Sequence, residues 1–316
     1  MLRSKGFHKG INLGGWMSQC DYSKERLDNF ITSSDIEQIA RWGFDHVRIP
    51  IDYNILQNSD GTIKENGFAR IEKAVAQCEK HGLKVILDLH KTAGFSFDEG
   101  ETECGFFDSR KYQEMFYRLW EEFARRFGNG SDNVVFKLLN EVTDKSYINK
   151  WNSISNECIR RIRKFAPDTV ILVGSYNNNG VKEVRFLDKP YDRNIVYNFH
   201  CYEPLLFTHQ GATWTVKIDP EKRMSYENSG TSEEYFEQLF SSAISKAEAD
   251  GTSLYCGEYG MIDVASAQDS LKWFRAINNV FEKHHIARSV WNYKEMDFGI
   301  SDPKYDGIRS ELLKYL

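Results

Sequence analysis

The chain has 316 residues, 41% hydrophobic and 14% aromatic, enough for one large core rather than several small ones. Its 41 Lys and Arg against 46 Asp and Glu leave a formal charge of −5, which excludes the basic field that nucleic-acid binding needs. The six cysteines form no Cys-x-x-Cys pair, no basic-then-apolar leader opens the sequence, and no apolar run approaches the roughly 20 residues that cross a bilayer.

These features predict a soluble protein with no structural zinc and no membrane association, either cytoplasmic or secreted with its leader removed. Cys201 and Cys256 lie beside strand-like runs, where a thiol acts as a small hydrophobe, and this favours a reducing compartment.

Short β-branched runs alternate with amphipathic stretches, as expected when parallel strands are joined by crossover helices. The first strand is predicted at 8–13. Thr32-Ser33-Ser34 then forms a capping cluster for a helix over 34–42. A strand at 44–49, a helix at 68–81 stopped by Gly82 and a strand at 83–89 follow. The spacing next predicts a helix at 112–127, a strand at 134–139, a helix at 147–165 and a strand at 169–173. A short helix at 181–187 leads to the sixth strand, 195–199. Residues 203–229 carry no predicted core element and read as an insertion of the kind barrel enzymes use against substrate. A helix at 233–249, a strand at 253–256, a helix at 265–284, a strand at 287–291 and a closing helix at 309–316 complete the pattern. No linker, low-complexity tract or repeat interrupts it. The fold class is therefore α/β, a single-domain (β/α)8 TIM barrel over residues 1–316 with a short insertion after strand 6.

In such a barrel the C-terminal strand ends meet at one open mouth. Asn12, Arg48, His90, Asn140 with Glu141, His200 with Tyr202, Glu258 and Trp291 each fall at or just beyond an apolar run. So many polar residues at matching ends would cost heavily in desolvation unless they faced a site. Two of them are carboxylic acids. Cleaving a glycosidic bond requires a proton donor for the leaving oxygen and a second carboxylate, which attacks the anomeric carbon in retaining enzymes. Glu141 after strand 4 and Glu258 after strand 7 would approach from across the mouth.

The segments Gly10-Ile11-Asn12-Leu13-Gly14-Gly15-Trp16, His46-Val47-Arg48-Ile49-Pro50, Leu139-Asn140-Glu141 and Gly257-Glu258-Tyr259-Gly260 resemble family 5 glycoside hydrolases, the cellulase family of clan A. The resemblance extends to Trp291-Asn292-Tyr293-Lys294 and is tightest with the compact, single-domain endoglucanase and lichenase branch. It implies Glu141 as acid/base and Glu258 as nucleophile. Asn140 would bond the sugar 2-hydroxyl, Arg48 would keep the nucleophile ionised, and Tyr202 would donate to Glu258. His200 would lie near Glu141, His90 near the minus-one sugar, and Trp291 beneath it.

Two departures bear on substrate reach. The branch commonly has a histidine where this chain has Lys91, which either donates to a sugar hydroxyl or points into solvent, and the segment after strand 6 is shorter. Trp214, in that segment, is read as a sugar-stacking residue. Trp16, His46 and His209 are read as structural, Asn12 as fixing the first turn, and Gly14-Gly15 as relieving backbone strain.

The activity expected is retaining endo-hydrolysis of β-1,4 and mixed β-1,3/1,4 glucans by a monomer, with a polysaccharide or oligosaccharide substrate and no metal or organic cofactor. The alternatives on the same carboxylate pair are a β-mannanase and an exo-β-1,3-glucanase. A catalytically silent carbohydrate-binding barrel is the remaining one.

Overall fold

Each predicted apolar run forms a strand: β1 (Lys9–Asn12), β2 (His46–Asp52), β3 (Lys84–Lys91), β4 (Val134–Lys137), β5 (Ile171–Gly174), β6 (Ile195–Cys201), β7 (Leu254–Tyr259) and β8 (Ala287–Val290). In this computed structural model, which describes residues 1–98, 101, 103–128 and 132–316, the strands pair in parallel in chain order. β1 pairs with β8, closing the barrel. Parallel neighbours need long crossovers, and the helices supply them. The longest are Glu65–Lys80, Arg110–Phe127, Ile148–Ile162, Glu233–Asp250 and Ala267–Lys283. The fold is a single-domain (β/α)8 barrel, as the alternation predicts.

The capping cluster also acts as predicted. Thr32 accepts from the backbone of Asp35, and Asp35 reaches back to Thr32, starting the helix Ser33–Arg41 one residue early. Three segments depart from expectation. The fifth crossover is a 3-10 helix, Val181–Phe186, too short to build an α-helix between β5 and β6. A helix that the pattern did not predict, Lys24–Asn29, is capped by Ser23 but is only six residues long, below the reach of helical periodicity. The insertion contains two single-turn helices, Leu205–Thr208 and Tyr226–Ser229.

Inside the barrel the two-residue period sorts the side chains into layers. Phe7, Ile86, Val135, Leu172, Val196 and Tyr255 belong to one apolar cluster at the base. Above them the interior is polar yet closed to solvent, with Asn12, His46, Arg48, Asp88, Lys137 and Ser289 all buried. Gly10 makes the crossing of β1 and β2 possible, because a Cβ there would stand 2.3 Å from the His46 ring. His46 bonds Asp45 and the Tyr255 hydroxyl, which agrees with its structural reading. All six cysteines are free. No helix among the described residues is long and apolar enough to cross a membrane.

Candidate active site

The polar layer is organised around Arg48. Its Nη1 donates to Asn12 Oδ1 and Glu258 Oε1, both at 2.7 Å. Its Nη2 donates to Asn140 Oδ1 at 2.8 Å and pairs with Asp88 Oδ2 at 2.9 Å. One planar guanidinium thus fixes side chains from β1, β3, the end of β4 and β7, a task for which its rigid fork is suited. Asp88 is held well below the ordinary carboxylate range by Arg48 and His90, which together outweigh its burial. Asn12 does more than fix a turn. Its amide nitrogen donates to the carbonyls of Gly257, Ser289 and Val290, tying β1 to β7 and β8 beneath the mouth.

Glu258 receives Arg48 on Oε1 and the Tyr202 hydroxyl on Oε2 at 3.0 Å. Burial pushes the Tyr202 hydroxyl well up, so it remains a donor. Glu141, 13% exposed, faces Glu258 from the loop after β4 and accepts from His200 Nδ1 on Oε1 at 2.7 Å and from Asn178 on Oε2 at 3.1 Å. A carboxylate oxygen of Glu141, one of Glu258 and a ring nitrogen of His200 all lie within 4.8 Å of one another. Burial raises Glu141 above its ordinary value and outweighs the nearby positive charges. Burial also pulls His200 down to about 3, leaving a neutral ring between the two carboxyls.

His90 is fixed by Asp88 at 2.6 Å and lies parallel to the Trp291 ring, with centroids 6.0 Å apart. Gly14 lets that indole in, since a Cβ there would stand 2.5 Å from it, so close approach rather than strain explains this glycine. The strained position is Gly15, at φ 72°. Trp16 is buried and donates its ring nitrogen to Leu27, a cover residue as read. His209 packs edge-on against Tyr202 at 4.9 Å, and Trp214, 47% exposed, stands edge-on to His209 at the rim.

Lys91 does not point into solvent. Its buried ammonium pairs with Asp98 and Glu101, each at 2.6 Å, which leaves one of its three N–H groups for another acceptor.

The sequence profile described as "Cellulase (glycosyl hydrolase family 5)" matches residues 6–297. The chain belongs to glycosyl hydrolase family 5. It is 67% identical to cellodextrinase A of Ruminococcus flavefaciens over 288 residues, covering 91% of this chain and 86% of that one. It is 36% identical to endoglucanase C of Acetivibrio thermocellus, covering 98% of both. Among solved structures, the cellulose synthase subunit Z of Clostridioides difficile superposes with a TM-score of 0.84 at 28% identity, covering 98% of this chain and 99% of that one. This family 5 member is a cellulase-type glycoside hydrolase, which sets aside the silent carbohydrate-binding alternative.

Sequence reasoning missed three members of this candidate site: Asp88, Lys137 and Asn178. The first two were detectable. In Ile86-Leu87-Asp88-Leu89-His90 the charge shares a strand face with His90, and in Val135-Phe136-Lys137 it shares one with Val135, so both point inward. Lys137 is fully buried, donates to the Leu139 carbonyl and lies 3.9 Å from Asp88. Burial pulls it from 10.5 to about 8, so in the window between those values the folded chain has released a proton that the unfolded chain keeps. Stability rises with pH wherever the unfolded state binds more protons. The native chain is therefore expected to gain stability relative to Lys137→Met between about pH 8 and 10.5, measured by urea denaturation across that range. A constant difference between the two would refute the assignment.

Proposed function

We propose that this hydrolase cleaves β-1,4-linked glucans, and mixed β-1,3/1,4 glucans, with retention of anomeric configuration. Glu141 would be the acid/base and Glu258 the nucleophile. The observation that supports this most directly is the approach of the two carboxyls across the mouth to within 4.8 Å. Retaining enzymes place these groups about 5 to 5.5 Å apart, whereas inverting enzymes need about 6.5 to 9.5 Å to admit a water.

In the first step Glu141 protonates the departing glycosidic oxygen as Glu258 attacks the anomeric carbon. In the second, Glu141 takes a proton from water, which attacks the same carbon and frees Glu258. Arg48 and Tyr202 hold Glu258 in place, one on each oxygen. Asn140 spends its carbonyl on Arg48 while its buried amide nitrogen has no partner among the described residues, which suits donation to the sugar 2-hydroxyl. Trp291 offers an apolar platform to the sugar ring, and His90 flanks it. Water is the second reactant, and no metal or organic cofactor enters the scheme.

The name of the 67% identical relative favours cellodextrins, short β-1,4-gluco-oligosaccharides, as the preferred chain length. Product analysis on mixed-linkage glucan, carboxymethyl cellulose, cellodextrins, glucomannan and laminarin tests the specificity, with Glu258→Gln as the control. Release from the first three supports the reading. Release confined to glucomannan or laminarin assigns a β-mannanase or an exo-β-1,3-glucanase. Proton NMR of the first product decides stereochemistry, since retention yields the β-anomer and the α-anomer would overturn the mechanism.

Trp214 presents an exposed aromatic face in line with His209 and Tyr202. Trp214→Ala is expected to lower kcat/KM on long glucan about tenfold, with a smaller loss on an aryl β-cellobioside. Equal losses on both substrates would contradict a role in stacking along the chain.

A further inference from the structure

Asn177, Asn178 and Asn179, just after β5, all have left-handed backbones, with φ of 52°, 55° and 54°. Asparagine tolerates this conformation singly, but three in succession form a strained turn, and such strain persists only where its surroundings over-determine it. Those surroundings are the two carboxyls' own supports. The Asn178 backbone N–H donates to the Val142 carbonyl, next to Glu141, and Gly180 bridges in parallel to His200. The turn is therefore pinned to the Glu141 loop on one side and to β6 on the other.

Its side chains follow the same division. Asn178 Nδ2 donates to Glu141 Oε2 at 3.1 Å, and Asn179 Nδ2 lies 3.3 Å from His200 Nε2. Gly174, ending β5, makes room for Asn179, because a Cβ there would stand 2.2 Å from its Oδ1. His200 Nδ1 faces Glu141 Oε1 at 2.7 Å and Glu258 Oε2 at 3.5 Å. With Glu258 ionised and the Glu141 proton on Oε2, both oxygens facing Nδ1 are acceptors, so Nδ1 bears the hydrogen and Nε2 is left to accept from the buried Asn179 amide.

We propose that the turn at 177–179 is a positioning element for the proton-donating carboxyl: Asn178 aims Glu141, and Asn179 holds His200 in the Nδ1–H tautomer that bridges Glu141 and Glu258. This rests on the reading of Glu141 as acid/base. The charged and titratable groups facing Glu141 come from other elements. They are Arg48 on β2, His90 on β3, Lys137 on β4, His200 and Tyr202 at β6, and Glu258 on β7. Asn178 adds a neutral donor to that set. A donor to the ionised form favours ionisation, so removing it makes Glu141 keep its proton to higher pH.

The experiment compares Asn178→Gly, Asn178→Asp and Asn179→Asp, which all accept left-handed backbone, with the native enzyme and Glu141→Ala. Full pH profiles of kcat/KM are measured on cellotetraose and on 2,4-dinitrophenyl β-cellobioside, whose leaving group needs no proton. Asn178→Gly is expected to cost on the order of tenfold on cellotetraose and little on the activated substrate. Its alkaline limb should move upward, and Asn178→Asp should move it further. In Asn179→Asp the new carboxylate accepts from Nε2–H, and 15N NMR of the imidazole should show the proton transferred from Nδ1. Equal losses on both substrates with an unmoved limb would make the turn merely structural. An Nε2–H tautomer in the native enzyme would overturn the part given to Asn179. If Glu141→Ala itself shows no selective loss on cellotetraose, the acid/base reading fails and the proposal falls with it. If Glu141→Ala does show that loss and the asparagine variants do not, the positioning proposal alone fails.

Discussion

Replacing Glu258 by glutamine is expected to lower kcat on cellotetraose on the order of 10⁵-fold, the largest effect of any single substitution in this chain. The amide keeps the shape of the carboxyl and loses its nucleophilicity. Arg48 retains Asp88, Asn140 and Asn12 as partners, so the polar layer survives and the thermal midpoint should move by only a few degrees. The decisive readout is covalent. A 2-deoxy-2-fluoro cellobioside with a good leaving group should label the native enzyme on the peptide containing Glu258 and leave the variant unmodified. Labelling of a different residue would place the nucleophile elsewhere.

Glu141→Ala should separate the two chemical steps. On cellotetraose, kcat/KM is expected to fall up to about 10⁴-fold, because nothing protonates the departing sugar oxygen. On the dinitrophenyl glycoside the first step survives, a glycosyl-enzyme accumulates, and added azide should release it as the β-glycosyl azide. The pH dependence has a definite sign. Burial keeps Glu141 protonated beyond the usual carboxylate range, and the proton is what the leaving group needs. Native activity on cellotetraose should therefore be present below the Glu141 pKa and lost as pH rises through it. That limb should be absent from kcat/KM on the activated substrate for native enzyme and alanine variant alike, and absent from the variant's residual activity on cellotetraose. A limb that persists unchanged in the variant would assign it to another group. His200, pulled down to about 3, is neutral throughout the working range and shapes neither limb.

The barrel was readable because each strand is an apolar run flanked by turn residues, a pattern that survives errors of a residue or two at the ends. β6 illustrates this: it extends from the predicted 195–199 to Cys201, taking His200 into the strand that bonds β7. Glu141, Glu258, Arg48, Asn140, His200 and Tyr202 were readable for a related reason, since strand ends in a closed barrel must converge. Residues that act through backbone conformation were not. The run Asn177-Asn178-Asn179-Gly180 suits a left-handed turn, but nothing in it tells that all three asparagines adopt that backbone or that Asn178 thereby meets Glu141. Lys91 shows a different gap. Sequence placed it at a strand end, but its burial depends on Asp98 and Glu101, which a loop brings back over it. Contacts made by loops follow no periodicity, so they have no signature in the sequence.

Asn12 joins the first strand to the last two, bonding backbone carbonyls of residues 257, 289 and 290. During synthesis, then, the arginine and asparagine that orient the pocket leave the ribosome long before the segments they hold in register. The nascent chain must keep β1 unpaired on one edge until β8 arrives, because no earlier strand can stand in for it. Contacts of such long sequence separation are assembled slowly. Catalysis should therefore emerge abruptly, only once the eighth strand has been added. A fragment ending before Ala287 should expose the edge of β1 and associate with itself or with a supplied C-terminal piece rather than hydrolyse glucan at a reduced rate.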